Sequence, residues 1–436
     1  MTERRLLFFF STATPYGGVE TWLRSITPAL RSRGFVPLVG VPNDSGKQLP
    51  RLLSHHCPEW EVVSVSGDGL SAQGRVCEVV QLAKRIRPEA FIPLIGADGH
   101  AAACIASAEH KIKYILSLRG VTPAQLADAF SYIPHVHAAI VPSLLTREFL
   151  CEIGVERDRC LHVPNGSDLA QFPRAIDSRA PRIEIVMVCR LTSVDKRADD
   201  VIGFVEGLRA RGVRFRLRIA GDGPLRSKIN SSIMGEDVEL LGNVERSYLQ
   251  EHLYPSAHVQ VQFSDSEPFC IALLEGMQHG VVPVVSDFVG RRREGFVRVD
   301  QTGLVFPIGD TSEAAALVER LFMDRSALAR LSEAAKDLAV GDYSWPMLSE
   351  RWADGFEQVI AMSARTDPLK IGRVRTGLRA PTSLWLRERL VRFLRRKLGM
   401  KVVRSQWPWV EARQDDPHGL ELFELVKRLD RAIPFG

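Results

Sequence analysis

The 436-residue chain lacks a hydrophobic run able to span a bilayer. The longest purely apolar stretch near its start, Leu6 to Phe10, is far below the ~20 residues a crossing helix needs. That stretch is also too short for the core of a secretory leader, and Glu3 precedes it, so it reads as a first strand. Cysteine is scarce and scattered: Cys57, Cys77, Cys104, Cys151, Cys160, Cys189 and Cys270 form no C-x-x-C. An odd set of this kind fits reduced thiols in a cytoplasmic protein rather than a disulfide framework. No Asp-x-Asp pair occurs, so a simple carboxylate clamp for a metal-bound diphosphate is missing. The one metal-like group is His55-His56-Cys57, with His135 and His137 as helpers. It reads as ordinary surface or core histidine, and no metal site is expected.

What is present is an ordinary globular composition, 45% apolar and 25% charged, which excludes disorder for the bulk of the chain. The length suits two or three domains, each able to bury its own core. Charge is unevenly placed. Residues 363–436 hold 17 Lys and Arg against 8 Asp and Glu, while the preceding 362 residues hold 40 against 44. Lys370 to Arg404 alone contains twelve basic residues and one acid, Glu388. A mildly acidic body with a basic extension points to an anionic partner for that extension.

The body alternates short apolar runs with helical patterns. The runs are Leu6–Phe10, Ala138–Val141, Ile183–Val188, Phe215–Ala220, Val238–Leu241, Val259–Phe263 and Val281–Val285. Several are apolar nearly throughout, as strands buried on both faces must be. The pattern predicts an α/β protein with doubly wound parallel sheets. Pro173 and Pro181 mark a linker over 170–181. The expected domains are 1–175 and 180–345, followed by a helix over 346–362 and the basic extension 363–436. No internal repeat is evident.

In doubly wound domains the ligand lies beyond the carboxyl ends of the strands, so the residues after each run carry the chemistry. After the first come Tyr16-Gly17-Gly18-Val19-Glu20 and a helix over Thr21–Arg31. This is either a plain turn or a backbone shaped to approach an anion at a helix start. Pro164-Asn165-Gly166-Ser167-Asp168 reads as a turn. Cys189-Arg190-Leu191 and then Lys196 place two cations at a sheet mouth. They are either a solvated basic loop or a diphosphate site. Ala220-Gly221-Asp222-Gly223-Pro224 and Gly242-Asn243-Val244 are both readable as strand-to-helix turns.

The most informative segment runs from Ser264 to Glu275. A helix is expected to start close to Pro268, a favoured first-turn residue, and to end at Gly280. Glu267 then stands before the helix and Glu275 on its second or third turn. The free amides of Phe269, Cys270 and Ile271 lie between them. An anion-binding helix end flanked by two carboxylates suits a sugar nucleotide, with amides for phosphate and carboxylates for hydroxyls.

Taken in order, these segments resemble the family-4 retaining glycosyltransferases of the GT-B fold, the glycosyl transferases group 1. The likeness runs from Gly17-Gly18-Val19-Glu20, through the Pro-Asn-Gly-x-Asp turn, Arg190-Leu191…Lys196 and Gly-Asp-Gly-Pro. It continues through Glu267 and Glu275 to Thr302-Gly303-Leu304-Val305-Phe306-Pro307. The resemblance implies two Rossmann-like domains facing across a cleft, with the 346–362 helix crossing back to the N-terminal, acceptor-side domain. It implies retaining, metal-independent transfer of a hexose-type sugar, without a cofactor, from a UDP- or GDP-linked donor to a glycan or lipid-linked acceptor. The setting would be synthesis of cell-surface polysaccharide or glycolipid. By the same resemblance Arg190 and Lys196 neutralise the leaving diphosphate and Glu267 contacts the transferred sugar. Glu275 takes the ribose hydroxyls, and Gly18, Gly242, Val244 and the amides of Phe269, Cys270 and Ile271 complete the donor contacts. The competing functions are a non-catalytic GT-B subunit that binds glycan or membrane, and another GT-B enzyme such as a nucleotide-sugar epimerase.

Three departures stand out. Where the family often has His-Gly, this chain has Arg119-Gly120, leaving Arg119, or His100 of Gly96-Ala97-Asp98-Gly99-His100, as the acceptor-side candidates. Cys270 replaces a customary glycine, and the Arg190-to-Lys196 interval is one residue longer than the commonest. The run Arg291-Arg292-Arg293 is either a solvated loop or an acceptor-phosphate site. In the extension, Ser383 to Leu398 can be drawn as a basic amphipathic helix with Trp385, Trp407 and Trp409 nearby. That composition suits the anionic inner face of a membrane, or a helix packed on the body; nucleic acid is not expected.

Overall fold

A computed structural model describes residues 3–11, 17–43, 49–66, 70, 72–171, 180–233, 235–364 and 415–432. They fall into two compact units. The first comprises Met1–Pro142, Thr146–Val163 and Ser349–Leu425, the second Ser143–Leu145, Pro164–Leu348 and Val426–Gly436. The candidate amphipathic segment 383–398, with Trp385, Trp407 and Trp409, lies outside the described residues, as do Tyr16 and most of the linker.

Each unit is built on one parallel sheet. In the first, β1 (Arg4–Phe10), β2 (Phe35–Asn43), β3 (Glu61–Ser66), β4 (Ala90–Ile95), β5 (Lys113–Leu116), β6 (Ala138–Val141) and β7 (Cys160–His162) run in the order 3-2-1-4-5-6-7. In the second, β8 (Ile183–Val188), β9 (Phe215–Ala220), β10 (Val238–Gly242), β11 (Val259–Gln262), β12 (Val282–Ser286) and β13 (Leu304–Phe306) run in the order 10-9-8-11-12-13. Every run singled out by composition forms a strand, with ends shifted by a residue at β10, β11 and β12 and the start of β1 two residues earlier. The strands that composition passed over explain themselves. β2 carries Pro37, Gly40 and Pro42, and β4 carries Pro93, residues that punctuate a sequence as loop would.

Both sheets share one consequence of their order. The chain builds outward from β1 or β8 on one side, then returns to the other side at β4 or β11. Ligands of doubly wound sheets bind outside the carboxyl ends at this reversal. In the second unit the loops after Val188 and Gln262 flank it.

The second unit's core is aliphatic with a small aromatic file. Ile183, Ile185 and Met187 of β8 are fully buried with Phe204 and Leu208 of the helix Asp200–Ala210. Phe263 meets Phe204 and Phe306 at ring separations of 5.5 and 5.7 Å. Each such side chain contributes about 1.5–3 kcal/mol by leaving water. The first unit stacks Phe8, Trp22, Trp352 and Phe356, with Trp22 and Trp352 edge-on at 5.0 Å. Trp352 and Phe356 come from the helix Trp345–Ala361, one residue earlier than expected at either end.

The first unit gives way to the second at Val163, not near 175. The cause is local: the Ser167 N–H donates to the Tyr343 carbonyl at 2.8 Å, and the Trp345 N–H donates to the Ser167 carbonyl at 3.0 Å. These bonds tie the Asn165-Gly166 turn to the second unit. A helix not anticipated from sequence, Pro417–Arg431, lies within the basic extension. No helix among the described residues is long and apolar enough to cross a membrane.

Candidate active site

The loop after β8 carries Arg190 and Lys196, and its shape is set from beneath. Gly221, at φ +142°, sits so close that a Cβ would lie 1.8 Å from the Cys189 carbonyl oxygen. Only glycine fits there. The Leu191 N–H donates to the Asp222 carbonyl (3.0 Å) and the Leu225 N–H to the Leu191 carbonyl (3.1 Å). The Gly-Asp-Gly-Pro turn thus buttresses the cation loop.

The loop after β11 carries Glu267. Its Oε1 accepts from Ser264 Oγ at 2.8 Å and Gln262 Nε2 at 3.2 Å, and from Lys196 Nζ in a short ion pair. Lys196 also lies 3.9 Å from Asp195, whose carboxylate holds Arg190 at 2.9 Å and accepts from Thr192 Oγ1 at 3.0 Å. The Asp265 N–H closes the cluster on the Asp195 carbonyl at 3.0 Å. Glu267 is buried and the Lys196 side chain is 12% exposed, whereas that of Arg190 is 44% exposed. Burial alone would strip the proton from Lys196, but Glu267 and Asp195 outweigh it and raise its pKa. Asp195 is desolvated too, yet Lys196 and Arg190 hold it below the usual carboxylate range. The result is a largely enclosed cation beside an exposed one, an arrangement able to meet a diphosphate.

The helix behind Glu267 begins later than the proline suggested. It spans Ile271–Gln278, with Cys270 as N-cap and Pro268 in the loop. Pro268 is displaced because Glu267 is still paired with the neighbouring strand end: its N–H donates to the Val289 carbonyl at 3.0 Å, and Ser266 bridges Val289. The amide of Ile271 therefore opens the helix, and those of Phe269 and Cys270 precede it. Phe269 packs on Phe296 and Tyr343 at 5.6 and 6.1 Å. Burial pushes the Cys270 thiol up to about 12, with Glu267 adding to it, so it is no nucleophile at neutral pH. The C-terminal turn ends as expected, Gly280 taking a left-handed φ of +73°.

Glu275, in the second turn, is 6% exposed. It pairs with Arg246 at 3.0 Å, and Arg246 also reaches Asp168 at 2.9 Å. Burial raises the Glu275 pKa against the opposing pull of Arg246. Gly242 closes β10, its carbonyl accepting the Gly221 N–H at 2.7 Å. Val244 packs on the Val186, Ala220 and Tyr254 cluster, and Arg246 follows in the short helix Arg246–Tyr248. Among the expected site residues of this unit, Arg190, Lys196 and Glu267 form one cluster and Glu275 a second. Asp195, Thr192, Gln262, Ser264, Asp168 and Arg246 were not anticipated as members. Asp195 has a readable signal, an acid between two cations. Arg246, 29 positions before its partner, has none.

The basic run Arg291-Arg292-Arg293 lies on the short helix Arg291–Glu294, its side chains engaged within the protein. Arg291 and Arg292 both clasp Asp287. Arg293 donates to the Leu429 carbonyl at 3.0 and 2.7 Å, fixing the end of the Pro417–Arg431 helix.

In the first unit Gly18 is the first residue of the helix Gly18–Ser32, three residues earlier than expected, with Gly17 as N-cap. His100 is buried, its Nδ1 2.7 Å from the Tyr114 hydroxyl and its ring stacked on Tyr132. Burial lowers its pKa to about 4, so it is neutral at physiological pH. Arg119 is enclosed, its guanidinium 3.4 Å from the centre of the Trp22 ring and 5.1 Å from that of Trp352. Both acceptor-side candidates are thus part of an aromatic interior. His55 and His56 lie on one short helix, and among the described residues no group of acids, histidines and cysteines is arranged to hold a metal ion.

Residues 170–338 match the model of the glycosyl transferases group 1. The chain is 35% identical over 131 residues to a GDP-mannose-dependent α-(1-6)-phosphatidylinositol dimannoside mannosyltransferase of Mycobacterium tuberculosis, covering 28% of this chain and 34% of that protein. It is 26% identical over 325 residues to a protein of Escherichia coli named as a colanic acid biosynthesis glycosyltransferase, WcaL, covering 69% and 78%. The chain spans a quarter to a third of the length of several other curated relatives, 25% in one case and 34% in another. Among solved structures, HepE of Anabaena in complex with UDP-glucose superposes with a TM-score of 0.67 at 19% identity, covering 81% of this chain and 99% of that one. Residues 170–338 thus match the glycosyl transferases group 1, and the chain has the GT-B fold of its solved neighbours.

Proposed function

We propose that the protein is a glycosyltransferase of polysaccharide or glycolipid synthesis, taking a hexose-type sugar from a nucleotide-sugar donor to a glycan or lipid-linked acceptor. The observation that carries this reading is the Lys196–Glu267 ion pair at the reversal point of the second sheet, with Arg190 exposed beside it. Arg190 and Lys196 receive the donor diphosphate. Glu267, held by Ser264 and Gln262, accepts hydroxyls of the sugar, and Glu275 those of the ribose. The Phe269, Cys270 and Ile271 amides meet the sugar or distal phosphate. Gly18, Gly242 and Val244 remain donor contacts by family resemblance.

The bond from the sugar's anomeric carbon to the diphosphate oxygen breaks as the acceptor oxygen bonds to that carbon. The acceptor proton passes to the departing phosphate. The two cations carry the charge that develops on the leaving group, so the protein's work is positioning and electrostatics. Transfer on the donor-face side retains anomeric configuration, and the cations do here what a metal does elsewhere. UDP and GDP are the candidate bases, since HepE is described with UDP-glucose and the mycobacterial relative as GDP-mannose-dependent. The basic extension docks the protein on the anionic inner face of a membrane, near a lipid-linked acceptor.

A panel of UDP- and GDP-sugars tests the reading, scored by thermal shift and then by NMR of the released or transferred sugar. Stabilisation by one donor and a product of unchanged anomeric configuration, made in the presence of EDTA, is expected. An inverted product, or no stabilisation by any donor, contradicts it.

A further inference from the structure

Glu275 is a buried acid whose ionised form is opposed by burial and by Asp168 and supported by Arg246 and the Tyr254 hydroxyl. Tyr254 is fully buried against it, with its hydroxyl 3.4 Å from Oε2 and 3.2 Å from the Ala272 carbonyl. Asp168 adds a second negative charge nearby, and Cys270 stands beyond Tyr254. The remaining neighbours, Gln260 beside Gly276 and the helix's own apolar residues, bring no charge. One cation faces this group. Arg246 contacts Glu275 Oε1 at 3.0 Å and Asp168 at 2.9 Å through the same Nη2. It arrives from the turn after β10, and Asp168 arrives from the loop Pro164–Asp168, which is pinned by Ser167 to Tyr343 and Trp345.

The geometry points to Arg246, seated on Asp168, as a positioning residue of the donor site: it holds Glu275 oriented as an acceptor for the ribose hydroxyls of a nucleoside diphosphate. This rests on the proposed function and names a residue that the Glu-x7-Glu pattern does not contain. A carboxylate accepts from both hydroxyls at once, whereas a protonated carboxyl must give up an acceptor to its own proton. In a buried site, an adjacent guanidinium favours the ionised form. Asp168 does not cancel the guanidinium; it fixes where that charge sits, on a loop anchored to backbone. Lysine in place of Arg246 would keep the charge but not the planar fork that serves two acids from one atom.

The sign of the effect follows. Burial already raises the Glu275 pKa and Arg246 opposes the rise, so Arg246→Ala pushes it further up. Nucleotide affinity, which uses the carboxylate, then fails from a higher pH downward. Isothermal titration of UDP and GDP from pH 5 to 9 is the test, with wild type, Arg246→Ala, Arg246→Lys, Asp168→Asn and Glu275→Gln. The acid limb of the affinity profile should move upward by about one pH unit or more in Arg246→Ala. It should move back in Arg246→Lys, move downward in Asp168→Asn, which removes a like charge, and shrink in Glu275→Gln to the limb set by the nucleotide's own terminal phosphate. A merely structural role would weaken binding equally at every pH, and that result overturns the inference. A second readout needs no nucleotide: the Glu275 side-chain carbon, assigned in ¹³C spectra by its loss in Glu275→Gln, should titrate at higher pH in Arg246→Ala. An unmoved titration refutes the positioning role. If that titration moves while no nucleotide binds the wild type, the proposed function has failed and the pairing has not.

Discussion

The two parallel sheets have the same order over their first six strands, yet their reversal points are furnished in opposite ways. In the second unit the loops after β8 and β11 bring Lys196, Arg190, Asp195 and Glu267 into one charged cluster. In the first, the titratable candidates His100 and Arg119 are folded into aromatic packing with Tyr114, Tyr132, Trp22 and Trp352. Topology supplies a place for a ligand, and the residue types after the strands decide whether that place has chemistry. By this comparison the second unit carries the charged groups that the proposed donor chemistry needs.

The largest expected effect comes from Lys196→Ala. It leaves Glu267 buried without its cation, which should lower stability by about 3–5 kcal/mol, seen as a fall in Tm. Turnover should drop by about a hundredfold or more, as removal of a fixed charge from a developing anion does. Full turnover with an unchanged Tm would dissolve the contrast between the units.

Next come the glutamates, which sharpen the division within the second unit. Glu267→Ala should spare affinity for free UDP or GDP and depress turnover, if Glu267 meets the sugar as proposed. Glu275→Ala should weaken nucleotide affinity. Calorimetry set beside a transfer assay separates the two. Identical behaviour of the variants would mean that the clusters are one site with one role.

A smaller effect is expected from ending the chain at residue 414. This removes the helix Pro417–Arg431, with buried Leu422 and Val426 and the Leu429 carbonyl that Arg293 grips. Loss of that packing should lower the Tm by several degrees while donor affinity persists. An unchanged Tm would show that the helix does not support the fold. Flotation of this truncated protein and of one also lacking 365–414, with acidic liposomes at low and high salt, separates membrane docking from packing. Equal recovery of both would refute docking by the basic segment.

The smallest effect is the pH response of the charged cluster. Asp195 has its pKa lowered from 3.8, so its contribution to stability is complete above that value and is lost as pH falls below it. Lys196 has its pKa raised from 10.5, so its contribution is complete below that value and is lost as pH rises above it. Between the two limits the cluster should be insensitive to pH. Chemical denaturation of wild type and Asp195→Asn across that range should give parallel, flat differences, and a slope near neutrality would contradict the assignment.

Most of the fold was legible because strands buried on both faces announce themselves as apolar runs. The strands carrying Pro37, Pro42 and Pro93 were not, because proline marks a loop by local rules, yet here it stands in interior strands paired on both sides. The site was legible where chemistry and sequence order coincide, as in Arg190, Lys196, Glu267 and Glu275. It was not where chemistry depends on a contact that no local pattern encodes. Arg246 finds Glu275 through the packing of the turn after β10, and the arginine run finds Asp287 and Leu429 instead of an anion. The helix start at Ile271 was misplaced at Pro268 because the Glu267–Val289 bond, a pairing across the sheet, outcompetes a first-turn preference.

The most direct measurement titrates wild type and Arg190→Ala with UDP, GDP and their parent nucleosides. Arg190 is exposed and its partner Asp195 keeps Lys196, so its loss should lower the Tm only slightly, and the nucleoside control separates that loss from a lost phosphate contact. A charge-assisted phosphate contact is worth about 1.5–3 kcal/mol. The diphosphate that wild type prefers should therefore bind about tenfold more weakly, or worse, to Arg190→Ala, and its nucleoside equally well to both. Equal diphosphate affinity in the two proteins, or an equal loss for nucleoside and diphosphate, would contradict the placement of the donor's phosphates at the second sheet's reversal point.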